Sequence, residues 1–194
     1  MQSIAVYCGS SLGASPIYKE AAASLGREIA RRGLALVYGG ASVGLMGAVA
    51  DAVLEEGGRV VGILPGFLQS REIAHKGLSE LIVVDSMHER KAKMAELADG
   101  FLSLPGGPGT MEEFFETFTW AQLGLHGKPC GLLNVNGYYD PLASMFETML
   151  SEQFMQEKYR PMLLIDTDPG SLLDRFERYS PPSVKTYLKN EQMT

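Results

Sequence analysis

The sequence predicts a doubly wound α/β fold of the Rossmann-like type, with a mainly parallel sheet and helices on both faces. Short apolar runs recur along the chain, and a glycine-rich turn and a segment of helical period follow them, as in repeated βα units. Runs such as 34–37 and 59–64 are apolar almost throughout, which is typical of strands covered on both faces. The length of 194 residues suits one core. We therefore expect a single domain over residues 1–180 and a C-terminal tail over 181–194.

The order of the elements follows from the same alternation. Apolar runs predict strands near residues 2–7, 34–38, 59–64, 80–84, 100–104, 129–134 and 162–165. The intervening periodic segments predict helices near residues 16–31, 44–56, 87–98, 110–123, 140–150 and 169–178. The third strand is the exception, because a polar loop follows Leu64-Pro65 where a helix is otherwise expected.

Composition and charge exclude several classes of function. Seventeen basic against 23 acidic residues give a net charge of −6, which disfavours a general nucleic-acid binder held by phosphate neutralisation. Cys8 and Cys130 lie far apart without the spacing of a zinc site, so we expect no metal. The chain shows neither a leader pattern nor a long apolar stretch. We expect a cytoplasmic protein without a membrane partner.

Ligands of such folds bind at the carboxyl ends of the strands, so the turns there are candidate sites. The turn after the first strand contains Gly9 and Ser10, and the turn after the second contains Gly39 and Gly40. Both turns are candidates for phosphate contacts through backbone amides, although Gly9-Ser10 is equally explained as a tight capped turn. Neither the dinucleotide pattern G-x-G-x-x-G nor the P-loop pattern is present.

The most distinctive turn runs from Leu104 to Glu113. Its glycines and prolines place backbone amides at the start of a helix, where the helix dipole favours a phosphate. Helical period puts the apolar residues on one face, and the carboxylates Glu112, Glu113 and Glu116 on the other. A structural alternative remains open, because Thr110 to Glu113 also fits a capping box in which Glu113 only binds the Thr110 amide.

A fourth candidate is the segment 87–93, which opens a helix with cations. This placement is unfavourable for the helix dipole unless an anion lies nearby. Arg90 is suited to hold an anion through two hydrogen bonds, whereas Lys91 acts as a point charge. Upstream, Glu72 lies in the polar loop and is either a ligand contact or a surface charge.

These features together resemble the LONELY GUY (LOG) family of cytokinin riboside 5'-monophosphate phosphoribohydrolases, over about residues 2–180. The resemblance is carried by the segments 39–47, 87–91, 105–113 and 119–122, and the signature P-G-G-x-G-T-x-x-E is matched in full by 105–113. It implies hydrolysis of the N-glycosidic bond of a nucleoside 5'-monophosphate, without metal or cofactor, in a homodimer. Pro108 departs from the family, because plant members usually carry Tyr there.

The resemblance also implies the roles of individual residues. Arg90 and Glu113 would be the catalytic pair. The implied substrate contacts are Glu72, Lys91, Gly107, Pro108, Gly109, Thr110, Met111, Glu112 and Thr119. Cleavage builds positive charge on the ribose, which an ionised Glu113 would stabilise.

Alternative functions are a general AMP or nucleotide nucleosidase, a nucleotide-binding module without catalysis, and a pyridoxal-phosphate decarboxylase, for which no lysine stands out. The apolar segments 114–125 and 145–154 either form a dimer interface or belong to the core.

Overall fold

The computed structural model describes residues 1–69 and 74–184, and they form one parallel sheet with helices on both faces. The strands are β1 Ser3–Tyr7, β2 Ala35–Tyr38, β3 Val60–Pro65, β4 Glu80–Val84, β5 Phe101–Ser103, β6 Cys130–Leu133 and β7 Leu163–Asp166. The helices are α1 Pro16–Arg31, α2 Gly44–Glu55, α3 Gly66–Gln69, α4 Met87–Leu97, α5 Pro108–Gln122, α6 Asp140–Ser151 and α7 Pro169–Glu177. The predicted fold class is confirmed.

The sheet has the order β4-β3-β2-β1-β5-β6-β7, and all its strand pairs are parallel. The chain builds outward from β1 to β4 and then returns to place β5 on the other side of β1. Ala5 lies beside Phe101, and Tyr7 lies beside Ser103. The strand order therefore reverses between β1 and β5, and the crevice of such a sheet opens at this point.

Two apolar layers cover the sheet. One packs α1, α2 and α7 against it through residues such as Leu25, Val49 and Phe176. The other packs α4, α5 and α6 through Met94, Phe118 and Phe146, among others. Because both faces are buried, the strands read as nearly continuous apolar runs in the sequence.

The predicted elements are all present, with differences at their ends. Helix α5 begins at Pro108 rather than at residue 110, because Pro fits the first helical position. The structure adds α3 and two 3₁₀ segments, at 135–137 and 157–162. The predicted tail falls largely on residues 185–194, which lie outside the described residues. Within the described ranges, no helix has the length and apolar character needed to cross a bilayer.

Candidate functional site

A cavity of about 300 Å³ opens at the carboxyl edge of the sheet, beside the crevice between β1 and β5. It lies between the turn after β1, the turn after β5 and the first turns of α4 and α5. The sequence-predicted residues that line it are Gly9, Ser10, Gly39, Arg90, Gly107, Pro108, Gly109, Thr110, Glu112 and Glu113. Segments far apart in the chain thus meet in one place, as the topology requires.

One wall of the cavity is formed by the start of α5. Gly107 caps the helix without a side-chain hydrogen bond, and Pro108 is the first helical residue. The first amides of a helix have no partner within it, and Pro108 has no N–H, so the amides of Gly107, Gly109 and Thr110 remain. All three residues line the cavity. The helix dipole adds a partial positive charge there, which suits a phosphate.

The capping-box alternative for Thr110 and Glu113 does not form. Because α5 begins at Pro108, Thr110 is the third helical residue and not the cap. A related cap forms on α4: the Ser86 hydroxyl accepts a hydrogen bond from the Glu89 amide at 3.1 Å, and the Glu89 carboxylate accepts one from the amide of Asp85, one residue before the cap, at 2.8 Å. The basic start of α4 is therefore compensated by a cap and an acidic residue.

Arg90 projects from the first turns of α4 across the ends of β2 and β3. Its Nε donates to the Ile63 carbonyl at 3.2 Å. On its other side the guanidinium lies directly against Gly39, where an added β-carbon would stand 1.9 Å from Nη2. Arg90 therefore reaches the cavity because residue 39 has no side chain.

Arg90 and Glu113 form a nearly buried ion pair. Nη1 of Arg90 lies 3.4 Å from Oε1 of Glu113, and their side chains are only 12% and 11% exposed. Burial raises the pKa of the Glu113 carboxyl above its usual value, although the Arg90 charge opposes the shift. A carboxylate of increased basicity thus faces a cavity that also offers phosphate donors.

The neighbouring carboxylates are held by Lys91. Its ammonium donates to Glu112 and, at 3.0 Å, to Glu116, and its side chain is 10% exposed. Burial alone lowers the pKa of Lys91, but these two hydrogen bonds raise it above the usual value. Repulsion along the acidic edge of α5 is therefore offset by one lysine from α4.

Four other predicted residues lie elsewhere. Lys91 is paired beneath the site and does not line the cavity, and Met111 packs against the core on the α5 side of the sheet. Thr119 is exposed on α5, about 9 Å along the helix axis from Glu113. Gly40, with φ of 77°, forms the bend after β2, and its carbonyl accepts a hydrogen bond from the His75 amide. Glu72 lies outside the described residues.

Several known proteins have sequences similar to that of this chain. A cytokinin riboside 5'-monophosphate phosphoribohydrolase from Rhodococcoides fascians is 52% identical over 86% of this chain and 85% of its own length. The rice enzyme of that name, LOG, is 46% identical over 98% of this chain and 78% of its own, and the Arabidopsis thaliana enzyme LOG7 is 47% identical over 92% and 82%. This chain belongs to the LOG family. The family model that matches residues 46–176 is described as "Possible lysine decarboxylase".

Solved structures share the fold of this LOG-family chain. The molybdenum cofactor binding protein of Rippkaea orientalis superposes with a TM-score of 0.70 at 22% identity, over 91% of this chain and 96% of the other. The molybdenum cofactor carrier protein of Chlamydomonas reinhardtii gives 0.69 at 24% identity, over 92% and 99%. At this identity the likeness concerns the fold alone.

Sequence reasoning missed part of the site of this LOG-family member. Tyr7 and Cys8 line the cavity, as do three methionines, Met46, Met87 and Met94. A second cavity of about 290 Å³ lies on the other side of the turn after β5 and is lined by Leu12, Tyr18, Leu45 and Tyr138, among others. The short pattern N-V-N-G-Y-Y-D at 134–140 was the available signal, because Asn-Gly marks a turn and adjacent tyrosines in a turn have no obvious core role.

Proposed function

We propose that the protein hydrolyses the N-glycosidic bond of N6-modified adenosine 5'-monophosphates, releasing the free base and ribose 5-phosphate. One observation carries the proposal: the nearly buried Arg90–Glu113 pair and the free amides at the start of α5 share one cavity. A nucleotide would contact both groups at once, because its phosphate and its anomeric carbon belong to one molecule. Membership of the LOG family supports the same reaction, because the relatives carry that activity in their names.

The phosphate binds at the turn 105–110. The amides of Gly107, Gly109 and Thr110 donate to its oxygens, and Gly9 and Ser10 from the turn after β1 close the other side. Gly44, with φ of 59°, lets this turn lie on α2, because a β-carbon there would stand 2.3 Å from the carbonyl carbon of Ser10. Contacts far from the reacting bond supply binding energy that the transition state uses.

Glu113 acts at the anomeric carbon. As the bond from C1' to the purine nitrogen breaks, positive charge develops on the ribose, and the ionised carboxylate stabilises it. The same carboxylate orients a water molecule and takes its proton as the water oxygen bonds to C1', while the electron pair of the broken bond leaves with the base. Arg90 holds Glu113 in place and binds ribose or phosphate oxygens. Because a guanidinium stays protonated, Arg90 is not the proton donor.

The structure gives no support to the decarboxylase description of the family model. That chemistry requires a lysine amine free to form a Schiff base. Lys91, the lysine of the candidate site, instead bonds two carboxylates, and those bonds keep its pKa high. Glutamates 112 and 116 hold it as a cation.

We also propose that the protein is a cytoplasmic homodimer. Phe114, Phe118 and Phe146 of the predicted interface segments are in the core, but Met145 and Phe154 are 51% and 88% exposed. Burial of these two side chains between subunits would remove apolar surface from water. Both cysteines are unpaired and buried, as in proteins of reducing compartments. Light scattering of wild type and Phe154→Glu tests the dimer: a monomeric wild type contradicts it.

The deciding experiment incubates the purified protein with AMP and, separately, with N6-isopentenyl-AMP. Chromatography then follows free base and ribose 5-phosphate. Release of both products from N6-isopentenyl-AMP, faster than from AMP, supports the proposal. Equal rates make the protein a general nucleosidase, a result with a physical basis because Pro108 lines the cavity where plant members usually carry an aromatic ring. Nucleotide binding without any product makes it a binding module.

A further inference from the structure

The turn 104–107 leads into the amides that are proposed to bind the phosphate. Three consecutive carbonyls of this turn accept hydrogen bonds from other segments of the chain. The hydroxyl of Tyr139 donates to the Leu104 carbonyl at 2.6 Å. The Gly9 amide donates to the Pro105 carbonyl at 3.1 Å, and the hydroxyl of Tyr138 donates to the Gly106 carbonyl at 2.6 Å. Each peptide plane before the start of α5 is therefore fixed by a separate partner.

Fixing a carbonyl also fixes the amide that follows it. In a trans peptide the C=O of one residue and the N–H of the next point in opposite directions within one plane. The Gly106 carbonyl points to Tyr138, which lines the second cavity, so the Gly107 N–H points away from Tyr138. Gly107 lines both cavities, and Glu113 lines the first. Tyr138 thus fixes the orientation of the first free amide of α5.

The segment that presents Tyr138 is itself tightly constrained. Asn136 and Gly137 have φ of 52° and 70°, in the left-handed region that asparagine and glycine adopt more readily than other residues, and they form a tight turn before Tyr138. The Asn134 side chain closes the segment, because it accepts from the Tyr139 amide and donates to Asp140, both at 2.7 Å. The ring of Tyr138 is therefore held for a directed hydrogen bond.

The hydroxyl of Tyr138 lies outside the core. Tyr139 is 1% exposed and belongs to the core, whereas Tyr138 is 42% exposed. The ring of Tyr138 touches Tyr18 and Tyr139 edge to face, with ring centroids 6.0 and 5.2 Å apart. The hydroxyl of Tyr138 is thus the part of the side chain whose removal leaves the core intact.

We propose that Tyr138 is a positioning residue for phosphate recognition: its bond to the Gly106 carbonyl holds the Gly107 amide towards the 5'-phosphate of the substrate. That the ligand is a 5'-monophosphate rests on the proposed function. The role of the hydrogen bond between Tyr138 and Gly106 goes beyond that proposed function.

The test is Tyr138→Phe, which keeps the ring and removes the hydroxyl. The matched control is Tyr159→Phe, in the 3₁₀ segment 157–162, which lines neither cavity. We expect the dissociation constant of ribose 5-phosphate, measured by calorimetry, to rise about 2- to 10-fold in Tyr138→Phe, the range for one lost hydrogen bond. The KM for AMP rises by a similar factor, while kcat and the inhibition constant of adenosine, which has no phosphate, stay at the wild-type values.

Three results overturn the inference. The first is an unchanged affinity for ribose 5-phosphate in Tyr138→Phe. The second is an equal weakening of adenosine and ribose 5-phosphate binding, which indicates a general loosening of the site. The third is a wild type that does not bind ribose 5-phosphate. Because the calorimetry uses no turnover, it decides the role of Tyr138 even if the protein fails to hydrolyse any nucleotide.

Discussion

The guanidinium of Arg90 occupies the space that a side chain on Gly39 would fill. A β-carbon at residue 39 would stand 1.9 Å from Nη2, far inside van der Waals contact. Since Arg90 is also the partner of Glu113, the glycine at the end of β2 sets the geometry of a pair that belongs to two other elements.

Gly39→Ala therefore displaces Arg90 from Glu113. We expect kcat/KM for the nucleotide to fall about 100-fold, because misplacement by about 1 Å at a reacting centre has that effect. The control is Gly66→Ala, where the added β-carbon meets a Val83 methyl at 3.6 Å and the Val84 carbonyl at 4.0 Å, both ordinary contacts. Steady-state kinetics measures the loss of activity, and thermal unfolding checks that the variant is folded. Wild-type activity in a folded Gly39→Ala protein would show that the position of Arg90 is unimportant.

Glu113→Gln removes the carboxylate charge and keeps the shape of the side chain. We expect a loss of about 10²- to 10⁴-fold in kcat, the usual contribution of a general base, with nucleotide binding and the fold retained. The matched control is Glu55→Gln at the end of α2, which does not line the cavity. If Glu113→Gln melts at much lower temperature and keeps its activity per folded molecule, Glu113 is structural.

The pH dependence of kcat/KM reports the protonation of Glu113. Since burial raises the pKa of this carboxyl above its ordinary 4.5, and the ionised form is the active one, activity falls as the pH drops through the raised value. We therefore expect the midpoint of the acid limb above pH 4.5. An acid limb centred below 4.5 would contradict a buried, ionised Glu113 as the acting group.

We expect Lys91→Met to shift the acid limb of the pH profile of kcat/KM to higher pH. The charges facing Glu113 are Arg90 and Lys91 of α4, which lower its pKa, and Glu112 and Glu116 of α5, which raise it. Removing Lys91 leaves more negative charge unopposed, so the acid limb shifts to higher pH. Lys91→Arg keeps the charge and should restore a profile close to wild type. Indistinguishable pH profiles for Lys91→Met and wild type would remove Lys91 from the electrostatics of the site.

Removal of the phosphate from the substrate tests the amides at the start of α5. We expect adenosine to be cleaved at least about 10-fold less efficiently in kcat/KM than AMP, because the binding energy of the phosphate is lost from the transition state. Product analysis at matched concentrations measures the ratio. Equal turnover of the two substrates would show that the amides at the start of α5 do not contribute to phosphate recognition.

Much of the fold was predictable because period and turn signals act locally. The run at 59–64 and the glycine pair before it are enough to place β3, and the start of α4 at Met87 agrees with its prediction. The signature at 105–113 likewise indicated the glycine-rich turn that leads into α5, and its role in phosphate binding stays a prediction. The roles predicted for Arg90 and Glu113 agree with their shared cavity and stay predictions.

What the sequence did not show depends on contacts between distant segments. The choice between a capping box and a cavity carboxylate at Glu113 was decided by the start of α5, two residues before the predicted one. The pairing of Lys91 with α5 and the bond of Tyr138 to Gly106 join segments more than twenty residues apart. Periodicity along the chain carries no information on such pairs.

The adjacency of β1 and β5 has a consequence for the formation of the cavity during synthesis of the protein. Ala5 lies beside Phe101, and the turn after β1 bonds to the turn after β5 through Gly9 and Pro105. During synthesis the N-terminal strands emerge long before their central neighbour. A nascent chain that ends before β5 therefore lacks both the strand beside β1 and the α5 residues that line the cavity.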